Sequence, residues 1–133
     1  MAEKVLVVED DQEINEMVGA YVEIAGFDYL PAHDAATAFS TLSKSRPDLI
    51  VLDLMLPDAD GFEVCRRVRS HPETRHIPVL MLTALEGEEE RRKGRECGAC
   101  AYMTKPFDPD RLIDALRDHV HNHRHGRDTC APD

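Results

Sequence analysis

Asp53 constrains this chain more than any other residue. It closes the apolar run Leu49-Ile50-Val51-Leu52, and a turn follows at Leu56-Pro57-Asp58. The first apolar run, Val5-Leu6-Val7-Val8, also ends in acid, at Glu9-Asp10-Asp11. Two buried strands that both stop on carboxylates imply one site at the carboxyl edge of a parallel sheet, where open α/β sheets bind ligands. Carboxylates gathered there repel by about 4 kcal/mol at about 4 Å with an effective dielectric near 20. A hard divalent cation is the natural counterweight.

The rest of the chain supplies the alternation such a sheet needs. Lys4–Val8 reads as a first strand. Asp11 then caps a helix whose apolar stripe is Ile14, Met17, Val18, Tyr21, Val22 and Ala25. Residues 27–32 form a second, less apolar strand. Asp34 caps a helix bearing Ala38, Phe39 and Leu42, and Pro47 stops it before a third strand over residues 48–52. Asp60 opens a helix with Phe62, Cys65 and Val68 inward. A fourth strand covers residues 77–82. Residues 86–96 are helical by propensity, with Glu88–Arg92 and Glu89–Lys93 spaced as i, i+4 pairs, but carry almost no apolar stripe. Such a helix is expected to be the most mobile of the five. A short fifth strand over 99–103 precedes a last helix capped by Asp108 and bearing Leu112, Ile113, Leu116 and Val120.

Five strands alternating with five helices predict a doubly wound parallel sheet covered on both faces. The weaker second strand belongs at an edge, which fits the flavodoxin-like order 2-1-3-4-5. One domain is expected over residues 1–121. Residues 122–133 lose periodicity and read as a disordered, His-containing tail. A chain of 133 residues suits a single core.

Charge and composition exclude some functions. The net charge of −10 argues against direct DNA binding by this domain. No apolar run approaches the ~20 residues of a membrane span, and the start of the chain lacks a secretion signal. A cytoplasmic location and four thiol cysteines are therefore expected.

The strand ends converge on an inventory for handling a phosphoryl group. The first strand delivers Glu9, Asp10 and Asp11, the third Asp53, the fourth Thr83-Ala84, and the fifth Thr104 followed by Lys105-Pro106. Carboxylates can hold Mg²⁺, while a hydroxyl and an ammonium satisfy phosphoryl oxygens as charge moves. One carboxylate can act as nucleophile and take the group as an acyl phosphate.

At this point the sequence resembles the receiver domain of two-component response regulators. The matching motifs are Val7-Val8-Glu9-Asp10-Asp11, Asp53-Leu54-Met55-Leu56-Pro57 with Gly61, Leu82-Thr83-Ala84, Gly98-Ala99 and Lys105-Pro106-Phe107. The resemblance covers about residues 3 to 121. It implies Asp53 as phosphoacceptor. It implies an acidic Mg²⁺ pocket of Glu9 and Asp10, with Asp10, Asp53 and the Met55 carbonyl as direct ligands. It implies Thr83 and Lys105 as phosphoryl contacts, with a cis peptide before Pro106 aiming the lysine. Tyr102 occupies the family's aromatic switch position, where the ring moves with Thr83. The implied donor is a sensor histidine kinase or phosphotransfer protein. The implied output is an unknown downstream protein, met by the face of the fourth helix, fifth strand and fifth helix. Such a chain is a signalling switch, not an enzyme beyond its own phosphotransfer and autodephosphorylation.

Other readings of the same residues are weaker. Asp11 is better read as a helix cap than as a pocket member. A haloacid-dehalogenase-like phosphatase would need a second Asp where this chain has Met55. A flavodoxin-like electron carrier would need a hydroxyl- or Gly-rich phosphate loop after the first strand, where Glu9-Asp10-Asp11 stands instead. Cys97-Gly98-Ala99-Cys100 has C-x-x-C spacing, but Gly98-Ala99 belongs to the receiver pattern. His119, His121, His123 and His125 alternate, and alternate helical positions do not face one another.

Overall fold

The computed structural model describes residues 3–124. The elements follow the expected alternation: β1 (Lys4–Val8), α1 (Gln12–Ile24), β2 (Asp28–Ala32), α2 (Ala35–Lys44), β3 (Leu49–Leu52), α3 (Gly61–Ser70), β4 (Val79–Thr83), α4 (Glu88–Glu96), β5 (Ala101–Thr104) and α5 (Pro109–Arg124). All pairings are parallel, and the sheet order is β2-β1-β3-β4-β5.

The central strands are continuously apolar because alternate residues enter two different cores. Leu6, Val8, Ile50, Leu52, Val79 and Met81 pack under α2 and α3. Val5, Val7, Leu49, Val51, Leu80 and Leu82 pack under α1 and α5, against Val18, Val22, Leu112, Leu116 and Val120. At about 25 cal/mol per Å² of apolar surface removed from water, these two layers drive folding and make register costly to slip. β2, the least buried in its pattern of strands β1 to β4, takes an edge.

Boundaries shift where backbone hydrogen bonding overrides hydropathy. β4 begins only after Pro78, whose nitrogen has no hydrogen for the ladder, although its carbonyl accepts from the Ile50 amide at 3.0 Å. β4 therefore ends on Thr83 and β5 on Thr104, each one residue later than hydropathy suggests. α5 continues through Arg124, three residues past the expected break at 121. The remainder of the expected tail, residues 125–133 with His125, lies outside the described residues.

The inward face of α1 also differs from its apolar stripe. Met17 is 42% exposed, while Asn15 and Gly19 are buried beside Val18 and Val22. Asn15 can be buried because its amide group is satisfied. Its Nδ2 faces the carbonyls of Val7 at 3.3 Å, Glu9 at 2.9 Å and Ala32 at 3.0 Å, and its Oδ1 accepts from the Tyr29 hydroxyl. Gly19 is small because a Cβ there would stand 2.4 Å from the Tyr29 ring. One polar side chain thus ties α1 to the carboxyl ends of β1 and β2.

On α4 the expected i, i+4 pairs give way to others. Arg92 bonds Glu89 at 2.6 Å and Glu96 at 3.2 Å. The expectation of four thiols also needs correction: Cys65 and Cys97 are free and buried, but Cys100 is disulfide-bonded.

Asn15→Leu should lower unfolding free energy by about 1–3 kcal/mol, because it leaves buried carbonyls without their donor. Urea denaturation followed by far-ultraviolet circular dichroism reads this directly. An unchanged midpoint would show that water replaces the amide without cost.

Candidate functional site

The site is built by extending the sheet ladder one residue past each strand. The Glu9 amide donates to the Ala32 carbonyl and the Asp53 amide to the Val8 carbonyl, both at 3.0 Å. The Lys105 amide donates to the Thr83 carbonyl at 2.8 Å. Main-chain pairing, rather than side-chain attraction, therefore carries the charged groups to one edge. Glu9 and Asp53 are buried, Asp10 is exposed, and one oxygen from each lies within 4.8 Å of the other two. Lys105 Nζ bonds Glu9 Oε1 and stands 3.4 Å from Asp53 Oδ2. The peptide bond before Pro106 is cis.

Glu9, Asp10, Asp53 and Lys105 are thus brought together. Thr83 ends β4, the strand between β3 and β5, and is fully buried. Its Oγ1 accepts from the Leu85 amide at 3.3 Å. The Met55 amide donates to Asp53 Oδ1 at 3.4 Å, and Met55 forms an isolated antiparallel bridge with Asp60. Asp11 stays outside the cluster and caps α1, accepting from the Ile14 amide at 3.0 Å. Tyr102 is half-buried on β5, and its hydroxyl donates to the Leu85 carbonyl at 2.7 Å. The Arg91 guanidinium of α4 lies 5.1 Å from the Tyr102 ring centroid. Gly94 is the buried residue of α4, and a Cβ there would come 3.2 Å from Tyr102.

One ammonium is paired with two of the three clustered carboxylates, Glu9 and Asp53. Burial pushes the Glu9 carboxyl up to about 7, against the lowering effect of Lys105 and of the Asp11 amide, which donates to Glu9 Oε2 at 3.1 Å. Burial also works against the charge on Lys105. There Glu9 and Asp53 outweigh it and hold the ammonium above the ordinary lysine range. The two shifts favour the lysine over its partner because Glu9 is the more buried and also feels Asp53. The donor set is all oxygen, clustered and open on the Asp10 side, which suits a hard divalent cation.

Residues 5–117 match the response regulator receiver domain. The chain belongs to that family. It is 44% identical over 117 residues to the phosphate regulon transcriptional regulatory protein PhoB of Escherichia coli, covering 88% of this chain and 51% of PhoB. It is 42% identical over 114 residues to the DNA-binding regulator RpaA of Synechocystis, covering 86% of this chain and 47% of RpaA. Among solved structures, the chemotaxis protein CheY4 of Vibrio cholerae superposes with a TM-score of 0.83 at 33% identity, over 89% of this chain and 98% of that one. The beryllofluoride-activated DrrB receiver domain superposes at 0.81 and 32% identity, over 91% of this chain and 99% of that one. The chain spans about half the length of the curated relatives it matches. Among the described residues, no helix is long and apolar enough to cross a membrane.

Two residues that shape this receiver site escape sequence reading. Asn15 interrupts an otherwise apolar stripe, which is the one signal that could reveal it. Asp58 reads as an ordinary turn residue, yet its carboxylate reaches the first turn of α2.

The Glu9 shift has a testable sign. The folded state holds this proton up to about pH 7, whereas the unfolded chain releases it near the ordinary glutamate value of 4.5. The stability this contributes is present below about pH 4.5 and lost as pH rises through about 7. Without divalent cation, the urea midpoint should therefore fall across that window. Glu9→Gln should flatten the slope. A slope that persists unchanged in Glu9→Gln would assign the effect to other groups.

Proposed function

We propose that this receiver domain accepts a phosphoryl group on Asp53 from a sensor histidine kinase or a phosphotransfer protein. The observation that carries the reading is the Asp53 carboxylate, buried at the sheet edge between two further carboxylates and Lys105. In the step, a bond forms between an Asp53 carboxylate oxygen and phosphorus. The bond from phosphorus to the donor imidazole nitrogen breaks, and its electron pair returns to that nitrogen. Glu9, Asp10, Asp53 and the Met55 carbonyl would hold Mg²⁺. That ion, when bound, supplies charge neutralisation of the acids and of the phosphoryl oxygens. Lys105, already held beside Asp53, pairs with a phosphoryl oxygen. The Thr83 hydroxyl donates to another.

The same contacts support a switch. A Thr83 hydroxyl turned toward the phosphoryl group gives up the Leu85 amide, and Leu85 is the residue whose carbonyl holds Tyr102. Tyr102 in turn is a principal contact of α4, a helix with only Gly94 buried and a Gly87 cap that makes no side-chain bond. Loosely held elements are those that move at low cost. The α4-β5-α5 face is thus the surface that changes, and a downstream protein is its partner. The acidic balance of the chain favours a protein there over direct contact with DNA. The reading is of a cytoplasmic signalling switch whose only catalysis is on its own phosphoryl group.

Incubation with acetyl phosphate and Mg²⁺ should add one phosphate, seen by intact-protein mass spectrometry. Asp53→Asn lacks the nucleophile, and an undiminished signal in that variant would sink the assignment.

The phosphorylated state should be long-lived. Met55 and Leu85 stand two residues after Asp53 and Thr83, and neither side chain can orient an attacking water. Met55→Asn/Leu85→Glu should speed loss of the phosphate. A tenfold change needs only about 1.4 kcal/mol of barrier. Decay of phospho-Asp53 after donor removal, with Mg²⁺ present, measures it. Equal decay in the double variant would show that these positions do not set the lifetime.

A further inference from the structure

We infer that Asp58 is a positioning residue for the Asp53 site, anchoring the β3–α3 loop on the first turn of α2. The inference rests on the proposed role of that loop in holding Mg²⁺. An α-helix begins with amides that have no partner within the helix. In α2 these are shared between two acids. Asp34, the residue before the helix, accepts from the Thr37 amide at 2.7 Å. Asp58 comes from a different element and takes the two preceding amides. Its Oδ1 accepts from Ala35 at 2.8 Å and its Oδ2 from Ala36 at 3.1 Å. A carboxylate gripping two amides at the positive end of a helix is a charge-assisted, directional contact.

The loop is closed at its root as well. The Gly61 amide donates to the Leu54 carbonyl at 2.9 Å, Met55 bridges Asp60, and Leu54 is buried. Met55 belongs to this root and stands three residues before the Asp58 anchor. Its own side chain is 59% exposed and so contributes little packing to hold the backbone. The position of the Met55 peptide is therefore set by the root and by Asp58. Sequence reading sees only a turn acid at this position. The second cap on α2 is redundant for starting that helix, which Asp34 already does, but not for fixing the loop.

The paired acids supply an internal control. Asp34→Ala and Asp58→Ala both remove capping bonds from α2, and both should lower the thermal midpoint. Only Asp58→Ala should speed amide exchange at residues 55–60. Only Asp58→Ala should weaken Mg²⁺ binding, measured by titration calorimetry, by about tenfold, the low end of the loss seen when a ligand-orienting partner is removed. Asp58→Asn keeps one acceptor oxygen and should fall between, and it decides the matter if Asp58→Ala does not fold. Loop exchange and Mg²⁺ affinity unchanged in the Asp58 variants, or altered equally by Asp34→Ala, would overturn the inference. If the wild type itself binds no Mg²⁺, the phosphotransfer reading falls, and the exchange contrast alone decides the anchor.

Discussion

The mutual repulsion of Glu9, Asp10 and Asp53, partly relieved by one lysine, is the constraint on which the rest of the structure depends. Nothing in the side chains themselves would gather these groups. The parallel ladder does so, because each acid or lysine follows directly on a strand whose other residues are committed to two apolar layers. Slipping any central strand by one residue would swap its side chains between the two apolar layers and, at the same time, move the charges out of line. Core stability and site geometry are therefore one property. The lysine offsets only part of the negative charge gathered there, and an all-oxygen edge that stays acidic suits a hard divalent cation.

The molecule is unevenly braced around this edge. On the β2 side, Asn15 stitches α1 to three strand-end carbonyls, and Asp58 and Asp34 together cap α2. On the β5 side, α4 rests on Tyr102 through Arg91 and the gap left by Gly94. A perturbation at Asp53 thus meets a rigid flank and a soft one. In the switch we propose, motion would go to the soft flank, where fewer buried contacts must be given up.

Much of this was legible from the chain alone. The alternation of apolar runs with helical periods determined the doubly wound sheet, its strand order and the edge place of β2. Acid at the ends of the first and third runs, with Thr83 and Lys105 after the fourth and fifth, pointed to the candidate site residues, and the structure brings the acids and the lysine together. Asp11, Asp34 and Asp60 were readable as caps because a capping acid acts on amides two or three residues away, within the reach of local sequence.

The tertiary structure alone decided what depends on partners distant in sequence. Asn15 is polar and stands outside the apolar stripe read from hydropathy, but carbonyls of Val7, Glu9 and Ala32 make its burial favourable. Met17 belongs to the apolar stripe by spacing but is exposed. Asp58 acquired its role from amides 22 and 23 residues away. The Glu9 carboxyl rises toward neutrality only because folding removes water from it. Hydrophobic period and capping act along the chain and can be read there. Hydrogen-bond satisfaction and desolvation act through space, and exist only once the sheet has brought its ends together.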